Sequence, residues 1–192
     1  MTGTLPYHRV NVLTGTKAAQ IIENAVEYAH LIKRASRPLL VLGPETLKSS
    51  TDNKQIIQYA IDIAKAATIP ICATAHTSKK LLELGIQPDS MYDIIEIINS
   101  LKDPEWKGVK GEGNHDLVIF FGIRSDLGEQ GLSALKHFAR HLKTMTLCRY
   151  YFPNATYSLQ NLKEAKWQEF LNAMITDLQT KEASNYGRYI PG

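Results

Sequence analysis

Cysteine is scarce in this sequence. The 192-residue chain has two, Cys72 and Cys148, so it cannot by itself supply the four closely placed thiolates of an iron–sulfur cluster. Tetrahedral zinc asks for several Cys or His ligands at short spacing. The one close histidine pair, His137 and His141, has no glutamate between its members in the metalloprotease arrangement and no third ligand nearby. At i,i+4 the two would share a helix face and read as surface histidines near a helix C-terminus, where positive charge is favoured. No metal site is expected.

Long apolar runs are missing as well. The longest, 117–121 extended to Ile123, falls far short of the about 20 residues of a membrane span. Residues 1–12 are polar and lack the apolar core of a secretory signal. Two thiols beside apolar, strand-like runs fit a reducing cytosol better than a disulfide, so a cytoplasmic protein is expected. A charge excess is also lacking: 22 basic against 19 acidic residues give +3. That is too little, and too scattered, for a nucleic-acid footprint.

Glycine fingerprints are absent too. There is no GxxxxGK[ST] loop and no GxGxxG after a strand; Gly111-Glu112-Gly113 has the GxG spacing but precedes a strand. No serine stands in a nucleophile elbow, and no catalytic residue is expected.

What is present is an alternation of periods. Helical spacing runs over 17–34 (Ala18, Ile21, Ile22, Ala25, Ala29, Ile32), with Thr14 or Thr16 as cap, and over 54–67, with Thr51 or Asp52 as cap. Shorter helices are predicted at 79–84 and 91–101, and longer ones at 130–142 and 164–181. Continuous apolar runs predict strands at 39–42, 69–74, 116–121, 143–149 and 157–159, buried on both faces as in a parallel sheet. The fold class is therefore α/β: a single Rossmann-like domain with a doubly wound, mostly parallel sheet over 17–182. An N-terminal arm (1–16) and a C-terminal tail (183–192) flank it.

Ligands in such sheets bind at the carboxyl ends of the strands. Gly43, Pro44, Thr74, His76, Gly122 and Arg124 fall there. They form the candidate dinucleotide crevice: glycines for close backbone approach and Arg124 as the phosphate's cation. A second set, Arg149, Tyr150, Tyr151 and Phe152, together with Trp106 in its Pro/Gly-rich loop, consists of large rings that need cover. They are the candidate partner-binding residues, since Tyr, Trp and Arg dominate interface hot spots.

The segments RPLLVLGPE (37–45), IPICATAH (69–76), NSLKDPEWKG (99–108), GNHDLVIFFGI (113–123), LKHF (135–138) and LKTMTLCRYYFPNATYS (142–158) occur together here. In this combination the chain resembles the epsilon subunits of the archaeal acetyl-CoA decarbonylase/synthase (carbon monoxide dehydrogenase/acetyl-CoA synthase) complex. The resemblance implies an NAD/FAD-binding-like fold with no catalytic residue of its own. It also implies a partner, the alpha subunit, which carries the nickel–iron–sulfur centre that interconverts CO and CO2, in a heterotetramer of two alpha and two epsilon chains. Two roles follow: stabilising the alpha subunit or, alternatively, binding FAD and assisting electron transfer to it.

Overall fold

The computed structural model describes residues 17–48 and 55–180. The arm at 1–16, the tail at 183–192 and the cap candidates Thr14, Thr16, Thr51 and Asp52 lie outside the described residues. Seven strands, β1 (Gln20–Ile21), β2 (Pro38–Leu42), β3 (Ile71–Ala73), β4 (Ser90–Met91), β5 (Leu117–Phe121), β6 (Lys143–Thr146) and β7 (Tyr157–Ser158), form one sheet. Its order is β1-β7-β6-β5-β2-β3-β4, and every pairing is parallel. Among the described residues six helices flank the sheet: α1 (Ala25–Arg34), α2 (Ile56–Ala67), α3 (Ala75–Glu83), α4 (Ile94–Lys102), α5 (Ser125–Phe138) and α6 (Glu164–Gln179). A 3-10 turn, Pro44–Leu47, follows β2.

The two faces of the sheet bury separate cores because successive strand residues point to opposite sides. Leu40, Leu42, Ile119 and Phe121 pack with Tyr28 and Ile32 of α1, Ile57 and Ile61 of α2, and Leu171 and Met174 of α6. Leu39, Val41, Val118 and Phe120 pack with Ile97 and Leu101 of α4 and Leu132 and Leu135 of α5. Burying one such side chain fully contributes ~1.5–3 kcal/mol. The expected doubly wound parallel sheet is thus what forms.

The differences from expectation have local causes. The helix predicted from residue 17 begins at Ala25, because the preceding stretch is taken up by the sheet. Gln20 donates its N–H to the Thr156 carbonyl at 2.9 Å and Ile22 to that of Ser158 at 3.3 Å. The Asn24 side chain then caps α1 by accepting from Val26. The helix predicted at 91–101 gives up Met91 to β4 and starts at Ile94, after the Asp93–Glu96 capping box. The helix predicted at 79–84 starts earlier, at Ala75. The helix predicted at 130–142 instead spans Ser125–Phe138. Gly128, ahead of the predicted start, is disfavoured in helices, yet it is buried inside α5 together with Gly131, where a methyl would strike the Ile98 side chain of α4. Strand β6 stops at Thr146, short of the predicted 149.

Candidate functional site

In the sheet order, β2 and β5 are neighbours from which the chain winds outward in opposite directions. This is where doubly wound folds leave a crevice, and Gly43 and Gly122 lie at its carboxyl edge. Here they are packed against each other. Gly43 donates its N–H to the Phe121 carbonyl at 2.9 Å, Glu45 donates to that of Gly122 at 2.8 Å, and the Thr46 hydroxyl donates to the Gly43 carbonyl at 2.7 Å. A methyl group on Gly122 would sit 2.6 Å from the Thr46 nitrogen, and one on Gly43 would lie 2.8 Å from the Ile123 Cα. The glycines admit the neighbouring backbone of the same chain, and the Gly43 and Glu45 N–H groups are already engaged.

The other crevice residues do not converge on that point. Pro44 opens the 3-10 turn with its ring exposed. Thr74 donates its N–H to the Leu42 carbonyl at 3.2 Å, and its hydroxyl meets that of Thr77 at 3.1 Å. His76 lies in the first turn of α3, beside a different opening shared with Leu47, Lys79 and Lys80. Arg124 points outward and grips Asp126 with two bonds, at 3.2 and 2.6 Å, which hold the Asp126 carboxyl below the usual carboxylate range. These six residues do not assemble into one pyrophosphate cradle, so the geometry does not fit FAD as the sequence placed it.

An adjoining cleft of about 270 Å³ opens over the carboxyl ends of β5 and β6. Gly122 is the one residue of the predicted crevice that lines it. Arg149, Tyr150 and Phe152 line it too, so the structure brings together one member of the first predicted set and three of the second. Trp167 and Phe121 meet edge to face at 5.9 Å in its floor, and the Trp167 indole N–H donates to the Leu147 carbonyl at 2.8 Å. At the mouth, the Arg149 guanidinium lies 4.8 Å from the Tyr150 ring centre, donates to the Tyr150 hydroxyl at 2.6 Å, and approaches Glu164 at 3.8 Å. Cys148 lines the same wall. Burial pushes its thiol up to about 11 despite backbone hydrogen bonds from Gly122 and Ile123, so it stays protonated and inert at neutral pH. Both cysteines are free.

The rest of the aromatic segment faces inward. Phe152 is buried in the α4–α5 core and donates its N–H to the Ser158 hydroxyl at 2.9 Å. Tyr151 is half-buried, its hydroxyl donating to the Ala19 carbonyl at 3.1 Å; Tyr150 is 53% exposed. Trp106, whose loop position allows either a plug for the domain's own core or a partner anchor, is half-buried at the amino edge of the sheet, edge-on to Tyr92 at 6.4 Å and against His115 at 5.7 Å. His115 in turn bonds the Arg37 carbonyl through Nδ1 at 3.0 Å and accepts the Val109 N–H at Nε2 at 3.3 Å. That pair of contacts selects the neutral Nδ1–H tautomer, and burial lowers the imidazole pKa accordingly. His137 closes α5, but His141 lies beyond it and meets the Asn114 amide at 3.2 Å. The pair does not share a helix face, because the helix ends four residues earlier than its predicted end. Among the described residues no group of three His, Cys, Asp or Glu could hold a metal, and no helix is long and apolar enough to cross a membrane.

Residues 2–175 match the family described as CO dehydrogenase beta subunit/acetyl-CoA synthase epsilon subunit. The chain belongs to this family. It is 39% identical over 166 residues to the acetyl-CoA decarbonylase/synthase complex subunit epsilon of Methanothermobacter thermautotrophicus, covering 86% of this chain and 92% of that relative. Subunit epsilon 1 of Archaeoglobus fulgidus is 39% identical over 151 residues, 78% of each chain. The epsilon subunit of Methanopyrus kandleri, at 24% identity, aligns over 89% of this chain and 99% of its own length. As an epsilon subunit of the acetyl-CoA decarbonylase/synthase complex, the chain is one part of a multi-subunit assembly.

Sequence reasoning missed two features. Lys48, Ile56, Glu164 and Trp167 also line the cleft; Trp167 was legible only as one apolar position of the last helix. The second is a set of exposed apolar side chains around the outer strand β4: Leu82 and Leu84 before it, Met91 within it and Ile95 after it. The signal was hidden, since Met91 and Ile95, like Leu81 and Leu84, stand at the spacing of a helical stripe.

Proposed function

We propose that this epsilon subunit is a non-catalytic, cytoplasmic component that binds and stabilises the alpha subunit, the carbon monoxide dehydrogenase component interconverting CO and CO2, in an assembly of two alpha and two epsilon chains. The observation that carries the reading is the apolar outer edge of the sheet. Strand β4 ends the sheet, and its outer side pairs with no described strand. Around it Leu82 is 52%, Met91 63% and Ile95 61% exposed. Proteins normally blunt such an edge with charge or cover, and exposed apolar side chains on the edge strand and on the helices before and after it suit a partner surface. Tyr150, the exposed member of the predicted partner set, offers a second point of contact at the cleft mouth.

Co-expression of the two subunits, affinity capture of one and mass measurement of the eluted complex test the proposal. Recovery of both chains in equal number, with heat inactivation of the alpha subunit slowed by the partner, supports it. An alpha subunit that elutes alone and is equally heat-stable with and without this chain contradicts it. Flavin content of the same eluate tests the FAD alternative, which rests on likeness of fold alone.

A further inference from the structure

Each charged side chain that lines the cleft among the described residues already faces its opposite. There are four: Lys48 pairs with Glu45, and Arg149 lies 3.8 Å from Glu164. The Arg149 guanidinium also donates to the Tyr150 hydroxyl at 2.6 Å. Helices α2, α5 and α6 reach the cleft with their amino ends, at Ile56, Ser125 and Glu164. The partial positive charge of α5 and α6 is met by an acid in the first turn of each, Asp126 and Glu164. A charged ligand of either sign would have to break a pair to be held here.

The floor is apolar and rigid. Phe121, Phe152 and Trp167 are buried, and Phe121 and Trp167 hold each other edge to face. The Phe152 ring lies so close to Gly128 that a methyl there would come within 2.9 Å of it. Sites for free small molecules carry a few polar groups that orient the ligand, in roughly 300–1,000 Å³. This cleft is smaller, about 270 Å³, and its indole and guanidinium donors are engaged. The mouth, by contrast, is open, with Tyr150 and Ser125 exposed. A preformed apolar pocket ringed by paired charges, with Tyr, Arg and Trp around it, has the anatomy of an interface hot spot. An apolar group free in solution gains little there, because binding removes its translational and rotational freedom. Carried by a partner already held at another point, it does not meet that cost again.

We propose that the cleft is a socket for one large, uncharged, apolar side chain of the alpha subunit, which enters past Tyr150 and rests on the Trp167–Phe152 floor. The proposal rests on the alpha-subunit reading above. It adds to the β4 edge a second point of contact, over the carboxyl ends of β5 and β6.

Two substitutions of Ser125, which lines the mouth, test the socket in the co-expressed pair. Ser125→Cys is nearly isosteric and places a thiol there, whereas Cys72 is buried and the Cys148 thiol stays protonated. Its reaction with a maleimide should be fast in the isolated chain and at least about tenfold slower in the captured complex. Ser125→Trp fills the mouth and should weaken capture of the alpha subunit at least about tenfold, with the urea midpoint of the isolated chain unchanged. Should Ser125→Trp fold poorly, the thiol measurement decides alone. A thiol equally reactive in the complex and in the free chain overturns the proposal, and so does a well-folded Ser125→Trp captured as tightly as the original. A thiol already unreactive in the isolated chain overturns it too, since the chain itself would then fill the cleft. If the unmodified chain captures no alpha subunit, the partner reading falls and the socket with it, so the two failures are told apart.

Discussion

The carbonyl oxygen of Gly122 accepts the N–H of Glu45 at 2.8 Å, and this bond locks the end of β5 beneath the turn that follows β2. Gly122 holds φ at +69°, a region that costs residues with a Cβ ~1–2 kcal/mol. A methyl group there would also press on the Thr46 nitrogen at 2.6 Å, an overpacking worth ~1–3 kcal/mol. Gly122→Ala is therefore expected to lose about 2–5 kcal/mol in urea unfolding. A loss under about 0.5 kcal/mol would show that the turn yields freely.

Stability should depend on His115 below neutral pH. Its folded pKa is lowered, chiefly by burial, from an ordinary value near 6.5. The folded chain then binds fewer protons than the unfolded one, so stability falls as pH drops through about 6.5 and levels off below the depressed folded value. Protonation also removes the acceptor for Val109 at Nε2. Urea midpoints measured between pH 7.5 and 5 should show this slope, and His115→Gln should flatten it. An unchanged slope in the variant would assign the effect to other groups.

The capping box of α4 makes a local prediction. Asp93 accepts from Ile95 at 2.8 Å and from Glu96 at 2.9 Å, while the Glu96 carboxylate accepts the Asp93 N–H at 2.9 Å. Asp93→Ala should cost about 0.5–2 kcal/mol, and Asp93→Asn, which keeps an acceptor, should recover most of it. Thermal unfolding of the two variants side by side decides the matter.

Charge placed at the outer strand should separate folding from assembly. Met91 and Ile95 are more than half exposed, so the pair Met91→Glu and Ile95→Glu should change the stability of the isolated chain by no more than ~0.5 kcal/mol each. Carried into the co-expression experiment, the pair should abolish capture of the alpha subunit. Undiminished capture would move the contact to the Tyr150 side of the molecule.

The fold was legible in the sequence where one face or stripe had a single job. Leu39, Leu40, Val41 and Leu42 read as a doubly buried strand because apolar neighbours faced both cores at once. Glycine played two parts. Gly131, inside the predicted 130–142 helix, lets α4 and α5 approach. Gly43 and Gly122 counted towards a ligand, yet each makes room for the other's loop. In the candidate site, strand ends could be located from sequence, but the convergence of α2, α5 and α6 on a single cleft could not. That depends on strand order, which no local period carries. The exposed ring of Tyr150 and the buried one of Phe152 are told apart by tertiary partners, the Ser158 hydroxyl six residues downstream and Gly128 of α5, against which the Phe152 ring packs.

Strand β1 has a consequence for how the chain is made. Among the described strands it pairs with β7 alone, Gln20 beside Tyr157 and Ile21 beside Ser158, so most of the polypeptide lies between the two halves of that edge. A ribosome releases the chain from its amino end, and the stretch that will become β1 must wait, unpaired, until β7 has emerged. The central strands β2, β3 and β5 can meet meanwhile, since their partners arrive sooner. Closure of the β1 edge is thus a late event of synthesis, slow by the measure of sequence separation and followed by the docking of α6 on α1 and α2. A truncation before residue 157 would leave the earliest-made strand without its place in the sheet.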